Sequence, residues 1–201
     1  MKPKLLIWSK NPGKIKRRSQ YFWDQFDILS LKDCWIEIEV EESMDDLRGN
    51  SIKKATTYAK LSWHLTLSED TGFFIEELWW LPWVAVRRRW WELPNEISDE
   101  DFLAFFKEKI KELKDTRSYF EYDITIATPD WTSQTINKKA HWHIDRDKLH
   151  SMDNHRAWYP LSQSFINDID WKTRIECSDE ERAKRDEHII KDIRLVLENI
   201  V

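Results

Sequence analysis

Three short stretches of this chain carry side chains that could handle phosphate. Ser9-Lys10-Asn11-Pro12-Gly13-Lys14 follows the apolar run Leu5-Leu6-Ile7-Trp8. It precedes residues 14–27, where Ile15, Tyr21, Phe22 and Phe26 have helical spacing and basic residues take the other face. A turn between a strand and a helix aims backbone N–H groups and a helix N-terminus at an anion, and Lys14 adds a point charge. Glu41-Glu42 lies ahead of Asn50-Ser51-Ile52-Lys53-Lys54-Ala55, and Glu69-Asp70-Thr71-Gly72 follows the strand-like Leu65-Thr66-Leu67. Carboxylates at the ends of separate strands suit a Mg2+ ion on a nucleotide, because that ion takes one or two of them plus phosphate oxygens. Taken singly, each stretch is equally an ordinary solvated turn.

The elements that must position these groups follow from pattern and punctuation. Residues 28–31 and 36–40 read as strands, the second with Ile36, Ile38 and Val40 alternating against Glu37 and Glu39. Residues 45–61 read as a helix with Leu47, Ile52, Ala55, Tyr58 and Ala59 on one side. The strand over 65–67 is expected to end in a turn at 68–72, with 73–75 continuing beyond it. Residues 79–94 have no clean period and read as a loop holding Arg87-Arg88-Arg89. Ser98 caps a helix running to about residue 113, and Ser178 caps a last one running to the C-terminus. Residues 119–127 and 135–144 read as a hairpin pair around Pro129-Asp130-Trp131, and 145–156 as a polar loop. This order predicts an α/β fold with a mixed sheet.

Composition narrows the class. The 201 residues fit one domain, 1–201. With 37 acidic against 32 basic side chains the net charge is −5, which argues against a nucleic-acid partner. Cys34 and Cys177 are too few for a disulfide framework and match a reducing compartment. The apolar run at the start is too short for a signal peptide, and no apolar stretch is long enough to span a bilayer. A cytoplasmic protein without membrane contact is therefore expected. His141, His143, His150 and His155 are irregularly spaced with no cysteine nearby, and read as polar-face residues rather than zinc ligands.

In order and spacing, the three stretches resemble the inosine triphosphate pyrophosphatase family, which hydrolyses non-canonical purine nucleoside triphosphates. The family's T-x-N-x-x-K corresponds to Ser9 through Lys14. Its acidic residue twelve before the lysine of N-A-x-x-K-A corresponds to Glu42 and Lys54, and its [DE]-D-[ST]-G-L to Glu69-Asp70-Thr71-Gly72-Phe73. A G-G-x-P-G-V-x-S-x-R stretch is answered from Trp79 to Arg88, an H-G-H-I end by His141-Trp142-His143-Ile144, and G-K-T-x-A-E-x-S-x-E-E by Trp171 to Glu181. The resemblance implies an elongated mixed sheet flanked by helices, with two lobes around a nucleotide cleft, and a homodimer. It further implies Mg2+ on Glu42 and Asp70, with Glu69 and Asp70 as the catalytic carboxylates. Lys14, Lys54 and Arg88 would neutralise the triphosphate, and Ser9, Lys10 and Asn11 would cradle it.

On the side that selects the base the pattern departs. The family's G-F-[GP]-[YW]-D-[PS]-x-F aligns with residues 158–165, bringing Tyr159 into the binding set and placing Ser162 where an aspartate reads the purine. Its S-H-R falls on Asp186-Glu187-His188, leaving His188 and Lys172 as the remaining binding candidates there. A catalytically silent nucleotide-binding relative and a Maf-type pyrophosphatase are the alternatives.

The chain has 3 Gly and 13 Trp, whereas ordinary usage of ~7% would give roughly 14 glycines. Trp79, Trp80, Trp83, Trp142, Trp158 and Trp171 stand where the family pattern has glycine. Trp8, Trp35, Trp63 and Trp131 lie at expected strand ends and turns. Most of these tryptophans are therefore expected at positions whose backbone geometry is built for glycine.

Overall fold

β1 (Lys4–Trp8) is buried from Leu5 through Trp8, as expected of a strand covered on both faces. It lies between two parallel partners, β2 (Asp27–Leu29) and β3 (Leu65–Ile75), and its register with β3 ends at Trp8 opposite Ser68. The computed structural model describes residues 2–9, 12–42, 46–78, 82–83, 98–149, 161–173 and 175–200. Beyond β3 the sheet continues through β5 (Arg117–Ala127), β6 (Ser133–Ile144) and β7 (Phe165–Asn167). β7 pairs antiparallel with β6, and β4 (Pro82–Trp83) pairs antiparallel with β3. The fold is thus α/β with a mixed sheet in the order β2-β1-β3-β5-β6-β7.

The chain divides into two compact units. One comprises Met1–Thr71, Tyr122–Lys138 and Ala183–Val201. Its helices are α1 (Pro12–Phe22), α2 (Leu47–Ser62), α4 (Asp179–Arg185) in small part, and α5 (Glu187–Ile200). Pro12 opens α1 at the position where a missing N–H costs nothing. Asp46 caps α2 by accepting from the Gly49 N–H at 2.6 Å. The buried face of α2 repeats at helical spacing, Leu47, Asn50, Ser51, Lys54, Ala55, Tyr58 and Ala59, and three of these are polar. That mixture marks the face turned to chemistry, since a buried amide, hydroxyl and ammonium all require partners.

The second unit comprises Gly72–Glu121 and Lys139–Arg182. Its core joins Phe73 and Ile75 to Phe102, Phe106 and Ile110 of α3 (Asp99–Lys111), and to Trp142, Ile144 and Phe165. The Phe73 ring meets Phe165 edge-on and Phe120 at a tilt, each with centroids 5.0 Å apart. Ser98 caps α3 as its sequence predicts.

Three expectations fail locally. Residues 68–72 form no turn; β3 runs unbroken through them. Residues 36–40 are not a strand: the Tyr58 hydroxyl donates to the Ile38 carbonyl at 3.2 Å and accepts from the Val40 N–H at 3.0 Å. A side chain there fills the role of a neighbouring strand. The last helix is interrupted at Asp186, whose carbonyl accepts from the N–H groups of Ile189 and Ile190 at 2.8 Å each.

The backbone bears out the glycine expectation at four tryptophans; of the six aligned with family glycines, Trp171 is among them, Trp83 and Trp142 are not, and Trp79, Trp80 and Trp158 lie outside the described residues. Among the described residues, four non-glycine residues have positive φ, and all four are tryptophan: Trp35 (55°), Trp63 (57°), Trp131 (74°) and Trp171 (56°). No glycine has positive φ. Trp8 and Trp142 behave differently: both are buried in strands, Trp8 against Tyr58 and Trp142 against Phe120 and Phe165.

Candidate active site

The β1–β3 register ends with Trp8 opposite Ser68, and Glu69 and Asp70 follow directly on β3. Adjacent residues on a strand point to opposite faces, so the two carboxylates enter separate networks.

Glu69 meets α1. Its Oε2 accepts from Arg18 Nε at 2.8 Å and from Arg18 Nη2 at 2.5 Å. Its Oε1 accepts from the Thr71 hydroxyl at 2.9 Å and lies 3.5 Å from Lys14 Nζ and 3.6 Å from Arg17 Nη2. Lys14 Nζ in turn donates to Thr71 Oγ1 at 2.6 Å. Lys14, Arg17 and Arg18 stand three and four residues apart, so one helix face delivers all three cations. Burial pushes the Glu69 carboxyl up, but Arg18, Lys14 and Arg17 outweigh it and hold the group well below the usual carboxylate range. For Lys14, burial dominates and lowers the ammonium pKa, with Glu69 and Asp70 opposing. Glu69 is thus a counter-ion held in its ionised form at neutral pH, with both carboxylate oxygens engaged.

Asp70 meets α2. Lys54 Nζ donates to Asp70 Oδ1 at 2.9 Å and to Glu42 Oε1 at 2.9 Å, and reaches the Glu69 carbonyl at 3.3 Å. Two carboxylates sharing one ammonium at these distances face the same point in space. Asp70 Oδ2 is buried and has no hydrogen-bond partner among the described residues. Burial raises the Asp70 pKa, with Glu42 adding to it and Lys54 opposing. Such a carboxylate can take a proton from, or orient, a water molecule. Beneath it, Ser51 donates to Thr125 Oγ1 at 2.8 Å, which is hydrogen-bonded to Thr135 at 2.8 Å, so α2 is pinned to β5 and β6.

Of the residues proposed from sequence, the structure brings Lys14, Glu42, Lys54, Glu69 and Asp70 together in the first unit. Ser9 is half-buried one residue past β1. His188, on α5 of the same unit, is exposed, with its Nδ1 3.0 Å from the Arg185 carbonyl. In the second unit Ser162 is buried with its hydroxyl unpartnered among the described residues, and Lys172 pairs with Glu181. Lys10, Asn11, Arg88 and Tyr159 lie outside the described residues. Sequence reasoning missed Arg17 and Arg18, and it quoted Thr71 within its motif without giving it a role. Arg18 stands four after Lys14, and that spacing on an amphipathic helix was the available signal. It also missed Asp186 at the helix break, which accepts from the Tyr21 hydroxyl at 3.0 Å and lies 3.7 Å from Arg17 Nε.

A sequence model of the Ham1 family matches residues 5–145. The dITP/XTP pyrophosphatase of Nautilia profundicola is 30% identical over 129 residues, covering 63% of this chain and 64% of that protein. The chain thus spans a little under two thirds of that relative's length. The dITP/XTP pyrophosphatase of Bacillus licheniformis is 25% identical over 149 residues, 71% of this chain and 73% of that one. Among solved structures, the Staphylococcus aureus Ham1 protein superposes with a TM-score of 0.77 at 22% identity, covering 98% of this chain and all of that one. A HAM1 protein from Coxiella burnetii gives 0.78 at 17% identity, covering 98% and 99%. At these identities the structural likeness carries the fold.

Proposed function

The chain belongs to the Ham1 family, and from that premise we propose that it hydrolyses non-canonical purine nucleoside triphosphates of the dITP and XTP type to monophosphate and pyrophosphate. The observation that carries this reading is the Lys54 ammonium held between Glu42 and Asp70, next to the Lys14–Glu69–Arg18 cluster. Two lysines at one end of a parallel strand pair suit an oligophosphate, and a carboxylate of raised pKa beside them suits water activation.

In this reading Lys14 and Lys54 bind and offset charge on the phosphate oxygens. Asp70 orients a water molecule toward the α-phosphorus and takes its proton as the P–O bond to pyrophosphate breaks. Glu69 accepts no proton; with Arg18 and Thr71 it holds Lys14 in place. The donor set also fits a divalent ion such as Mg2+: two hard carboxylate oxygens share one locus, and Asp70 Oδ2 is a buried acceptor without a partner. When bound, such an ion would neutralise phosphate charge and polarise the scissile phosphoryl group. Among the described residues no cluster of three or more His, Cys, Asp or Glu side chains could hold a metal, so phosphate oxygens and water would complete its shell. The family resemblance extends the proposal to a cytoplasmic homodimer, which sedimentation would test.

The test is pyrophosphate release from dITP and XTP with and without added Mg2+, set against Asp70→Asn. Wild-type turnover is expected, and removing a general base should lower kcat by about 10²–10⁴. Binding of dITP without pyrophosphate release would identify a nucleotide-binding module and overturn the reading.

A further inference from the structure

The four left-handed tryptophans occupy four different turns, each of a kind that selects glycine. Trp63 is the C-cap of α2, at φ 57° and ψ 28°. At Trp35 the Ile36 N–H bonds the Leu31 carbonyl at 3.0 Å, and the Trp35 N–H bonds that of Lys32 at 3.2 Å. This nested pair is the helix-ending motif whose penultimate residue must be left-handed. Trp131 closes the turn between β5 and β6. Its N–H bonds the Thr128 carbonyl at 3.2 Å, and the Thr128 N–H bonds Thr132 at 2.9 Å. A turn followed by a left-handed bulge residue is the glycine place in such hairpins. Trp171 closes the loop after β7, with its N–H on the Asn167 carbonyl and the Asn167 N–H on that of Lys172, both at 3.0 Å.

None of these rings is placed for burial. They are 93% (Trp35), 77% (Trp63), 60% (Trp131) and 69% (Trp171) exposed. Two make a surface contact, Trp131 under Lys60 and Trp171 beside His143. Meanwhile Gly13 and Gly49 lie inside helices and Gly72 inside β3, where a Cβ is tolerated. A bulky side chain stands at each described position that disfavours one, and glycine at none of them.

We infer that residues 35, 63, 131 and 171 are glycine in the protein as its source makes it, through UGA codons that the source decodes as glycine and the written sequence renders as tryptophan. One misread codon adds to the tryptophan count and subtracts from the glycine count at once, and it accounts for tryptophan at every described position of positive φ. An aromatic platform for bases or sugars would gather the rings on one face of one element, and they belong to four separate turns.

The test reads the gene and the protein. UGA is expected at codons 35, 63, 131 and 171, and peptides of the protein purified from its source should carry glycine there. UGG at these codons, or tryptophan in those peptides, overturns the inference. In the recombinant chain with the written sequence, replacing all four with glycine should raise Tm, by about 2–4 °C per site. Trp8→Gly, at a buried strand position, should lower Tm and shows that the gain belongs to the left-handed sites. A fall in Tm for the fourfold variant overturns the backbone argument on which the inference rests.

Discussion

Glu69 and Asp70 are chemically alike and adjacent, yet their surroundings drive them apart: Glu69 is ringed by Arg18, Lys14 and Arg17, while Asp70 faces one shared ammonium and keeps a bare buried oxygen. Because Glu69 is held below its ordinary pKa, its ion pairs contribute fully above the unfolded glutamate value of ~4.3 and are lost as pH falls through the folded one. Glu69→Gln leaves buried Arg18 without its counter-charge and is expected to cost about 3–5 kcal/mol at neutral pH. Urea titrations at pH 7 and pH 3 would check this: the gap between variant and wild type should narrow at the acid end. An unchanged gap would mean that Glu69 does not carry the acid sensitivity. The sequence made both carboxylates legible through their place after an apolar run. It could not separate their roles, because the separation comes from residues more than ten positions away along the chain, on α1 and α2.

At the scale of elements, legibility followed the caps and the apolar runs. β1, α2 and α3 stand close to where Ser98 and the spacing of apolar residues place them. The failures share one cause, a tertiary partner overriding a local signal. Ser68 through Gly72 has the composition of a turn, but Arg18 and Lys54 each donate to one of its buried carboxylates and hold it extended. The alternation at 36–40 is that of a strand, but Tyr58 takes the backbone bonds. The last helix breaks where Tyr21 and Arg17 draw on the Asp186 carboxylate. Since α2 brings both Ser51 and Lys54, its N-cap should matter to the site as well as to stability. Asp46→Ala is expected to cost ~1 kcal/mol, or about 2–4 °C in Tm. Differential scanning calorimetry would read this directly, and an unchanged Tm would show that the cap is redundant with packing.

Over the whole molecule the net charge is −5, yet Lys14, Arg17, Arg18 and Lys54 cluster within one unit of the fold. Total charge therefore describes the average field around the chain and says nothing about an anion received at one point. The glycine count was the other whole-chain signal: beside the local turn pattern it marked as glycine places turns where tryptophan, which is not a turn former, stands. The exposure of Trp35, Trp63, Trp131 and Trp171 has an optical consequence. A protein carrying indoles there should emit in the red, water-relaxed part of the tryptophan range and be strongly quenched by iodide. A protein made by the source with glycine at those turns would lose four exposed emitters, so that buried Trp8 and Trp142 weigh more beside exposed Trp23, and its emission should lie farther to the blue and be less quenched. The colour of the light from the two preparations would then report how each was translated.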